Sequence, residues 1–406
     1  MEDSLYRNSL YLMLGTGVMS VLGFIAWAII SRLYTAEQVG LATTIISVMG
    51  IITGFSVLGL NTGLIRFLPK SKRKNDKINT AFTLASLVTI VVTAVFLLGL
   101  KGFSPSLLFI KQNIFYSVIF ILFMVFSTLS TLLDGVFVSY RASGYVLLKN
   151  TIFSTLKLIF PFFFVFLGAY GIFGSWMLSL IVSFLINGAI LTFKFSYRPK
   201  FVFYDSIIEQ IGKYSFGNYV AGFLGSIAAM LLPIIITNLH HPEFTAYYYI
   251  SMMIASVLFI IPQATTNSLF AEGSNNVKEI SIQVRKAIRI IFLLLVPAII
   301  ITILVGKYVL LFFGQNYAEG GFSLLVILAI SGVFVSINAV YSAILRVRKE
   351  IGKIVLANLV GAVITLVLSY FLILYGKGLQ GVGYAWLIGQ ILILGVYLLS
   401  YRRTRN

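Results

Sequence analysis

Two ionisable residues lie inside long apolar segments of the chain, where a charged side chain is costly. Asp134 comes two helical turns before Arg141, and Lys157 comes two turns after Asn150. With a rise of about 1.5 Å per residue, both side chains would lie roughly 10 Å from the same end of two neighbouring helices. Because burying a charge in apolar surroundings costs free energy, both residues are candidates for a functional site.

Each of these charges continues a row of polar side chains at helical spacing. The two rows are Ser127, Ser130, Thr131 and Asp134, and Asn150, Ser154 and Lys157. One interpretation is a structural ion pair that joins two helices. A second is a hydrated cavity in which Lys157 attracts an anionic group and Asp134 orients it or binds a coupling cation. A third is that both side chains extend to the nearby surface.

Arg66 is a third candidate, because it closes an apolar segment one turn after Thr62. A guanidinium is well suited to bind a phosphate group. The alternative is a basic anchor at a membrane boundary.

Residue types that carry catalysis are scarce. The chain has no Cys, and it contains no Gly-rich phosphate loop and no His-Glu-x-x-His motif. A membrane glycan polymerase or ligase would need acids or metal ligands in external loops, which hold few beyond Glu37, Glu243 and Glu319. The sequence therefore favours a protein that is not an enzyme, with no metal site and no cofactor.

The elements that must position these residues are membrane-spanning helices. Of 406 residues, 59% are hydrophobic and 10% charged, with a mean hydropathy of +1.00. The apolar runs are continuous, as in spanning helices, rather than alternating as in barrel strands. The pattern predicts an all-α integral membrane protein with about 12 spans, near 9–31, 39–63, 79–100, 114–138, 150–167, 172–193, 214–237, 245–269, 289–305, 322–344, 354–375 and 379–400.

The net charge of +18 is distributed unevenly over the connections between the spans. Most Lys and Arg residues fall in alternate connections. The remaining connections hold only Arg32, Lys101, Lys111, Lys307 and Lys377. By the positive-inside rule, this predicts a multi-pass protein of the inner (cytoplasmic) membrane with both termini cytoplasmic. The charge is therefore explained by topology, without a nucleic-acid partner.

The two halves of the sequence resemble each other at a nearly constant offset. The matched pairs include Glu37 with Glu243, Asn61 with Asn267, and Gly171-Ile-Phe-Gly-Ser-Trp176 with Gly381-Val-Gly-Tyr-Ala-Trp386. Six spans in each copy give both copies the same orientation. We therefore expect two six-helix bundles, residues 1–200 and 201–406, related by a parallel repeat of the kind found in transporters.

Several segments resemble the polysaccharide (O-antigen type) flippases of the MATE-like multidrug/oligosaccharidyl-lipid/polysaccharide (MOP) superfamily. They are Ser31-Arg-Leu-Tyr-Thr-Ala-Glu-Gln-Val-Gly40, Gly59-Leu-Asn-Thr-Gly-Leu-Ile-Arg-Phe-Leu68, Asp134-Gly-Val-Phe-Val-Ser-Tyr-Arg141, Lys149-Asn150 and Ile261-Pro-Gln-Ala-Thr-Thr-Asn-Ser-Leu-Phe270. The resemblance implies two bundles forming a V around a central cavity. It also implies that an oligosaccharide linked to an isoprenoid pyrophosphate passes from the cytoplasmic to the external leaflet.

Family members often carry an acidic residue followed by Arg late in the seventh span, where this chain has Met230-Leu-Leu-Pro233. Arg66, Asp134 and Lys157 are therefore the residues carried over as substrate-binding cavity candidates. The expected partners are the lipid-linked oligosaccharide, membrane lipid, and either a coupling cation (Na⁺ or H⁺) or the membrane potential. Alternatives are a MATE-type multidrug exporter, whose cationic substrates would favour acidic cavity residues, a membrane enzyme, and a structural scaffold.

Overall fold

The computed structural model describes residues 2–275 and 280–402. Lys278 and Arg403, which belong to the basic connections of the sequence, lie outside the described residues. Within the described ranges the chain is helical and contains no strand. The chain divides into two compact units, an N-terminal bundle that ends at Tyr219 and a C-terminal bundle that begins at Val220.

The N-terminal bundle contains six long helices, a short helix after the second of them and a four-residue helix after the third. In chain order they are α1 (Glu2–Leu33), α2 (Ala36–Ser56), α3 (Leu60–Phe67), α4 (Lys74–Leu98), α5 (Leu100–Phe103), α6 (Ile114–Ser139), α7 (Gly144–Phe163) and α8 (Ala169–Lys194).

The remaining six helices are long and joined by short connections. They are α9 (Asp205–Leu239), α10 (Pro242–Asn275), α11 (Ile280–Leu311), α12 (Gln315–Val347), α13 (Ile351–Leu374) and α14 (Gly378–Arg402). The unit boundary at Tyr219 falls inside α9.

Twelve of these helices are long and apolar enough to cross a membrane, which confirms the predicted number of spans. The predicted second span, 39–63, is too long, because α2 ends at Ser56. Leu58 (φ 49°) and Gly59 (φ 75°) then adopt the left-handed conformation, which cannot continue a right-handed helix. The chain restarts as α3, which carries Arg66 in its last turn.

The same helix pairs are in contact in both bundles. In the N-terminal bundle α2 packs on α4 and α6, α4 packs on α6, and α8 packs on both α6 and α7. Counted by spans, these are the second helix on the third and fourth, the third on the fourth, and the sixth on the fourth and fifth. These five pairings recur among α10–α14. The first helix packs on the fifth in both bundles, through the contact of α1 with α7 and through a hydrogen bond from Asn358 Nδ2 to the Ala221 carbonyl, 2.9 Å. This common pattern is what the sequence duplication predicts.

One end of the N-terminal bundle carries most of its basic residues, and we call it the basic end. Its basic residues include Lys70, Lys72, Arg73, Lys74, Lys77, Arg141, Lys194, Arg198 and Lys200. Contacts between the connections hold this end together. The Ser143 backbone N–H donates to Asn8 Oδ1 at 2.9 Å, the rings of Tyr140 and Phe195 have centroids 5.0 Å apart, and Lys74 Nζ lies 5.2 Å from the Tyr140 ring. The core beneath includes Leu64, Leu132 and Phe137, all fully buried.

Candidate functional site

An ion pair between α6 and α7 lies close to the basic end. Lys149 Nζ lies 2.7 Å from Asp134 Oδ1 and 3.0 Å from both the backbone carbonyl oxygen and the Oγ of Ser130. Three oxygen atoms therefore surround an ammonium that has three N–H donors. The Lys149 side chain is 7% exposed and that of Asp134 is 31% exposed. This arrangement joins the two helices through one ion pair and two hydrogen bonds of the lysine.

The first of the three interpretations, an ion pair between Asp134 and Lys157, is therefore wrong. Lys157 forms no ion pair with the described residues, and Asp134 is paired with Lys149 instead. The physical reason is the start of α7, which begins at Gly144 rather than near residue 150. At about 1.5 Å per residue, Lys157 lies roughly 20 Å along α7 from its first residue, far beyond the level of Asp134.

Lys157 lies among aromatic side chains in the interior of the N-terminal bundle. The residue is 5% exposed. Its Nζ lies 4.3 Å from the ring centroid of Trp176 on α8 and 5.2 Å from that of Phe153 on its own helix. Trp27 of α1 packs on Trp176 with ring centroids 5.9 Å apart. A cation over an aromatic face is stabilised by about 1–2 kcal/mol when water is excluded.

The aromatic contacts do not replace a counter-ion. Lys157 forms neither an ion pair nor a conventional hydrogen bond with the described residues, and the buried Ser154 Oγ, one turn earlier, has no hydrogen-bond partner among them. A Cβ at Gly23 of α1 would lie 3.7 Å from Lys157 Nζ, so the missing side chain leaves space beside the ammonium. We call Lys157, Trp27, Phe153, Trp176 and Ser154 the lysine box.

Arg66 lies on α3, a helix that contributes no residue to the lysine box. It is exposed at the end of α3, and its guanidinium carbon lies 5.6 Å from the ring centroid of Phe67. On the other side of this segment, Asn61 packs so closely on Gly135 of α6 that a Cβ there would overlap the Asn61 Oδ1. The three predicted site residues thus occupy three different environments: an exposed helix end, a satisfied ion pair and a buried aromatic box.

Two asparagines of the C-terminal bundle join helices to each other. Asn338 Nδ2 of α12 donates to the backbone oxygen of Gln390 at 2.9 Å and to its side-chain Oε1 at 3.1 Å. Asn358 of α13 makes the bond to Ala221 described above. Such interhelical hydrogen bonds stabilise the packing of helices in a membrane.

A polar cavity in the C-terminal bundle was not predicted from the sequence. It has a volume of about 310 Å³ and lies between α10 and α12. Its polar lining residues are Gln263, Thr266, Asn267, Ser342 and Arg346. Two signals pointed to this region: Asn267 is the repeat partner of Asn61, and the segment from Ile261 to Phe270 carries part of the family resemblance.

Solved structures of transporters share this fold. An inward-facing multidrug resistance MATE family transporter of the MOP superfamily aligns with a TM-score of 0.76 at 18% sequence identity, covering 98% of both chains. A MOP superfamily transporter from Pyrococcus furiosus gives a TM-score of 0.65 at 19% identity, covering 98% of this chain and 95% of that one. The fold is therefore that of a MATE-like, multi-pass membrane protein.

Sequence profiles give the family. The profile of the polysaccharide biosynthesis protein family matches residues 5–273, and the MatE profile matches residues 219–371. The chain therefore belongs to the polysaccharide biosynthesis protein family.

A curated relative is the "Putative O-antigen transporter" of Shigella flexneri. It is 32% identical over 176 residues, which cover 42% of this chain and 41% of that protein. The match therefore spans less than half of the relative's length.

Proposed function

We propose that the protein moves an oligosaccharide linked to an isoprenoid pyrophosphate from the cytoplasmic to the external leaflet, for the synthesis of a surface polysaccharide. The family and the name of the Shigella flexneri relative support a saccharide cargo. Lys157 carries the proposal, because it is a buried ammonium that has no counter-ion among the described residues. A pyrophosphate supplies the missing negative charge.

Energetic magnitudes support a functional role for Lys157. A lysine at the centre of a spanning helix costs roughly 2.5–3.5 kcal/mol on insertion scales. The aromatic contacts of the lysine box offset about 1–2 kcal/mol of this insertion free energy. A phosphate oxygen would form a charge-assisted hydrogen bond with the ammonium, and such a bond is stronger in surroundings of low dielectric constant.

Because of the internal repeat, the position of Lys157 can be compared with its counterpart in the C-terminal bundle. Asn150 lies beside Gly15 in the first bundle, with its Nδ2 3.5 Å from the position of a Cβ there, and Asn358 bonds to Ala221 in the second. With these contacts aligned, the position of Lys157 corresponds to Thr365 of α13, which is buried with 2% exposure. A six-helix bundle of this kind therefore folds with a small neutral residue at this position, which favours a role for Lys157 beyond packing.

The other predicted residues have different parts in this proposal. Asp134 is neutralised by Lys149, so a coupling cation at Asp134 would have to displace an ammonium that three oxygen atoms surround. We therefore favour the membrane potential over cation coupling at this residue. Arg66, exposed at the end of α3, is proposed as an initial contact for the phosphate at the membrane surface.

A multidrug exporter is the second candidate function, because the MatE profile matches residues 219–371. Organic cations would be repelled by Lys157, since like charges in apolar surroundings repel strongly. Transport of a lipophilic cation that is unaffected by Lys157→Gln would favour the exporter. Transport of the saccharide that requires Lys157 would favour the flippase.

Complementation of a bacterial strain that lacks its own surface-polysaccharide flippase tests the proposal. The wild-type gene should restore surface polysaccharide, and Lys157→Glu should abolish it because a carboxylate repels the pyrophosphate. Lys101→Glu, which reverses an exposed charge, is the matched control and should complement. Equal complementation by Lys157→Glu at equal protein level would rule out the phosphate contact.

A further inference from the structure

A long apolar groove lies in the N-terminal bundle among α4, α6 and α8. Its volume is about 610 Å³. Apolar residues that line it include Ile90, Leu122 and Leu185, which are 43%, 51% and 55% exposed, so the groove opens at the surface of the bundle. These helices are membrane spans. The medium in contact with the groove is therefore lipid rather than water.

The length of the groove corresponds to one leaflet of a bilayer. The lining residues on α4 run from Asn79 to Ile90, and those on α6 from Leu133 to Ile121. At about 1.5 Å per residue, these stretches measure roughly 16–18 Å. One leaflet contributes about half of the ~30 Å hydrocarbon core. An acyl chain that enters at the basic end would therefore be accommodated over its length.

The groove ends at the connection between α8 and α9, and Asn79 fixes that connection. Asn79 Oδ1 accepts hydrogen bonds from the Tyr197 hydroxyl at 2.6 Å and from the Lys200 backbone N–H at 3.2 Å. Its Nδ2 donates to the Arg198 carbonyl at 2.9 Å. Burial raises the pKa of Tyr197 to about 12, so its hydroxyl remains protonated and donates this bond. Lys200 is consequently held at the polar end of the apolar groove, with its side chain exposed.

The charge at this end selects the kind of lipid. Of the described residues that line the groove, Lys200 is the charged one and none is acidic. The neighbouring pocket at the basic end is lined by Lys72, Arg73 and Lys74, and its single acid, Asp76, is paired with Arg73 at 2.7 Å. Basic residues at a membrane surface attract anionic lipid headgroups.

We propose that this groove binds a phospholipid with an anionic headgroup, with one acyl chain along α4, α6 and α8 and the phosphate beside Lys200. This site is distinct from the lysine box, and it holds a lipid that accompanies the protein rather than the transported substrate. The proposal does not depend on the identity of the cargo.

A photo-crosslinking experiment tests the site. The purified protein is placed in phosphatidylcholine nanodiscs that contain a trace of phosphatidylglycerol with a diazirine midway along one acyl chain. After irradiation, labelled peptides are mapped by mass spectrometry. Peptides of α4, α6 and α8 should be labelled about fivefold more by this probe than by a phosphatidylcholine probe, the preference expected from one interfacial lysine.

Two glycines of α8 provide a blocking variant and its matched control. A Cβ at Gly188, which lines the groove, or at Gly174, which does not, meets no atom within 4 Å. Gly188→Leu should fill the groove and abolish the selective labelling, whereas Gly174→Leu should leave it unchanged. Lys200→Glu should abolish the preference for phosphatidylglycerol. Ala189→Leu, at another lining position, is the second blocking variant if Gly188→Leu does not fold.

Three results would overturn the proposal. Equal labelling by the two phospholipid probes would show ordinary lipid contact without selection. Undiminished labelling of both folded blocking variants would place the acyl chain elsewhere. Displacement of the probe by a polyprenyl phosphate at lower concentration than by phosphatidylglycerol would identify the occupant as an isoprenoid chain.

Discussion

Lys149 Nζ lies 2.7 Å from Asp134 Oδ1, and this contact leaves Lys157 of the same helix without a carboxylate partner in the part of the chain that the structure describes. One lysine of α7 thus has its charge compensated within the fold, and the other does not. The same substitution at the two positions should therefore have opposite effects on stability.

Removal of Lys149 should destabilise the protein. Lys149→Met leaves Asp134 unpaired beside Ser130, and breaking a largely buried ion pair costs about 3 kcal/mol. The thermal midpoint of the purified protein, measured by size-exclusion chromatography after heating, should fall. The double variant Asp134→Leu/Lys149→Met should recover most of the loss, and a double variant as unstable as the single one would contradict the ion-pair role.

Replacement of Lys157 should have the opposite effect on stability. Lys157→Met removes an insertion cost of roughly 2.5–3.5 kcal/mol together with cation–π contacts worth about 1–2 kcal/mol, so a net gain of about 1 kcal/mol is expected. The thermal midpoint should rise slightly while transport is lost. A fall as large as that of Lys149→Met would mean that Lys157 has a structural counter-charge.

The packing of α14 on α13 depends on a glycine. A Cβ at Gly389 would overlap the Thr365 Oγ1, whereas a Cβ at Gly395 of the same helix meets nothing within 4 Å. Gly389→Ala should cost about 1–3 kcal/mol through overpacking. Gly395→Ala should be neutral or stabilising by up to about 1 kcal/mol. Equal thermal midpoints for the two variants would contradict this close contact.

The proposed orientation in the membrane can be tested with single cysteines, because the chain has none of its own. Lys72→Cys places a thiol at the basic end, and Lys111→Cys places one in the connection before α6; both positions are exposed. In intact cells with a permeable outer membrane, an impermeant maleimide should label Lys111→Cys. It should label Lys72→Cys only after the inner membrane is permeabilised. The reverse pattern would place the basic end outside.

Hydropathy predicted the number of spans and their approximate positions, because apolar length is a local property of the sequence. It did not predict the break after α2, where Leu58 adopts a left-handed conformation that its residue type disfavours. It also places the start of α7 too late, because Lys149 and Asn150 interrupt the apolar run inside the helix. Lys149 lies inside α7 because Asp134 compensates its charge, so it does not mark the boundary of the span.

The partner of Asp134 could have been found from the sequence. Asp134 and Lys149 are equally far along the chain from the turn at Arg141 and Ala142. Two such positions lie opposite each other in a helical hairpin. The lysine box is different, because its rings come from α1, α7 and α8, and their approach is a tertiary contact that periodicity does not encode. Trp176 stood out as a member of the repeated Gly-to-Trp motif, although its proximity to Lys157 did not.

Transport of a lipid-linked oligosaccharide in reconstituted vesicles tests the role of Lys157 most directly. The protein is incorporated into liposomes that carry an isoprenoid pyrophosphate-linked oligosaccharide, and movement between leaflets is followed by cleavage of the sugar with an impermeant glycosidase. Lys157→Gln should slow the movement at least about tenfold, as expected for the loss of a charged hydrogen bond, whereas Lys157→Arg should retain most of it. Movement by folded Lys157→Gln at the wild-type rate would contradict the proposed phosphate contact.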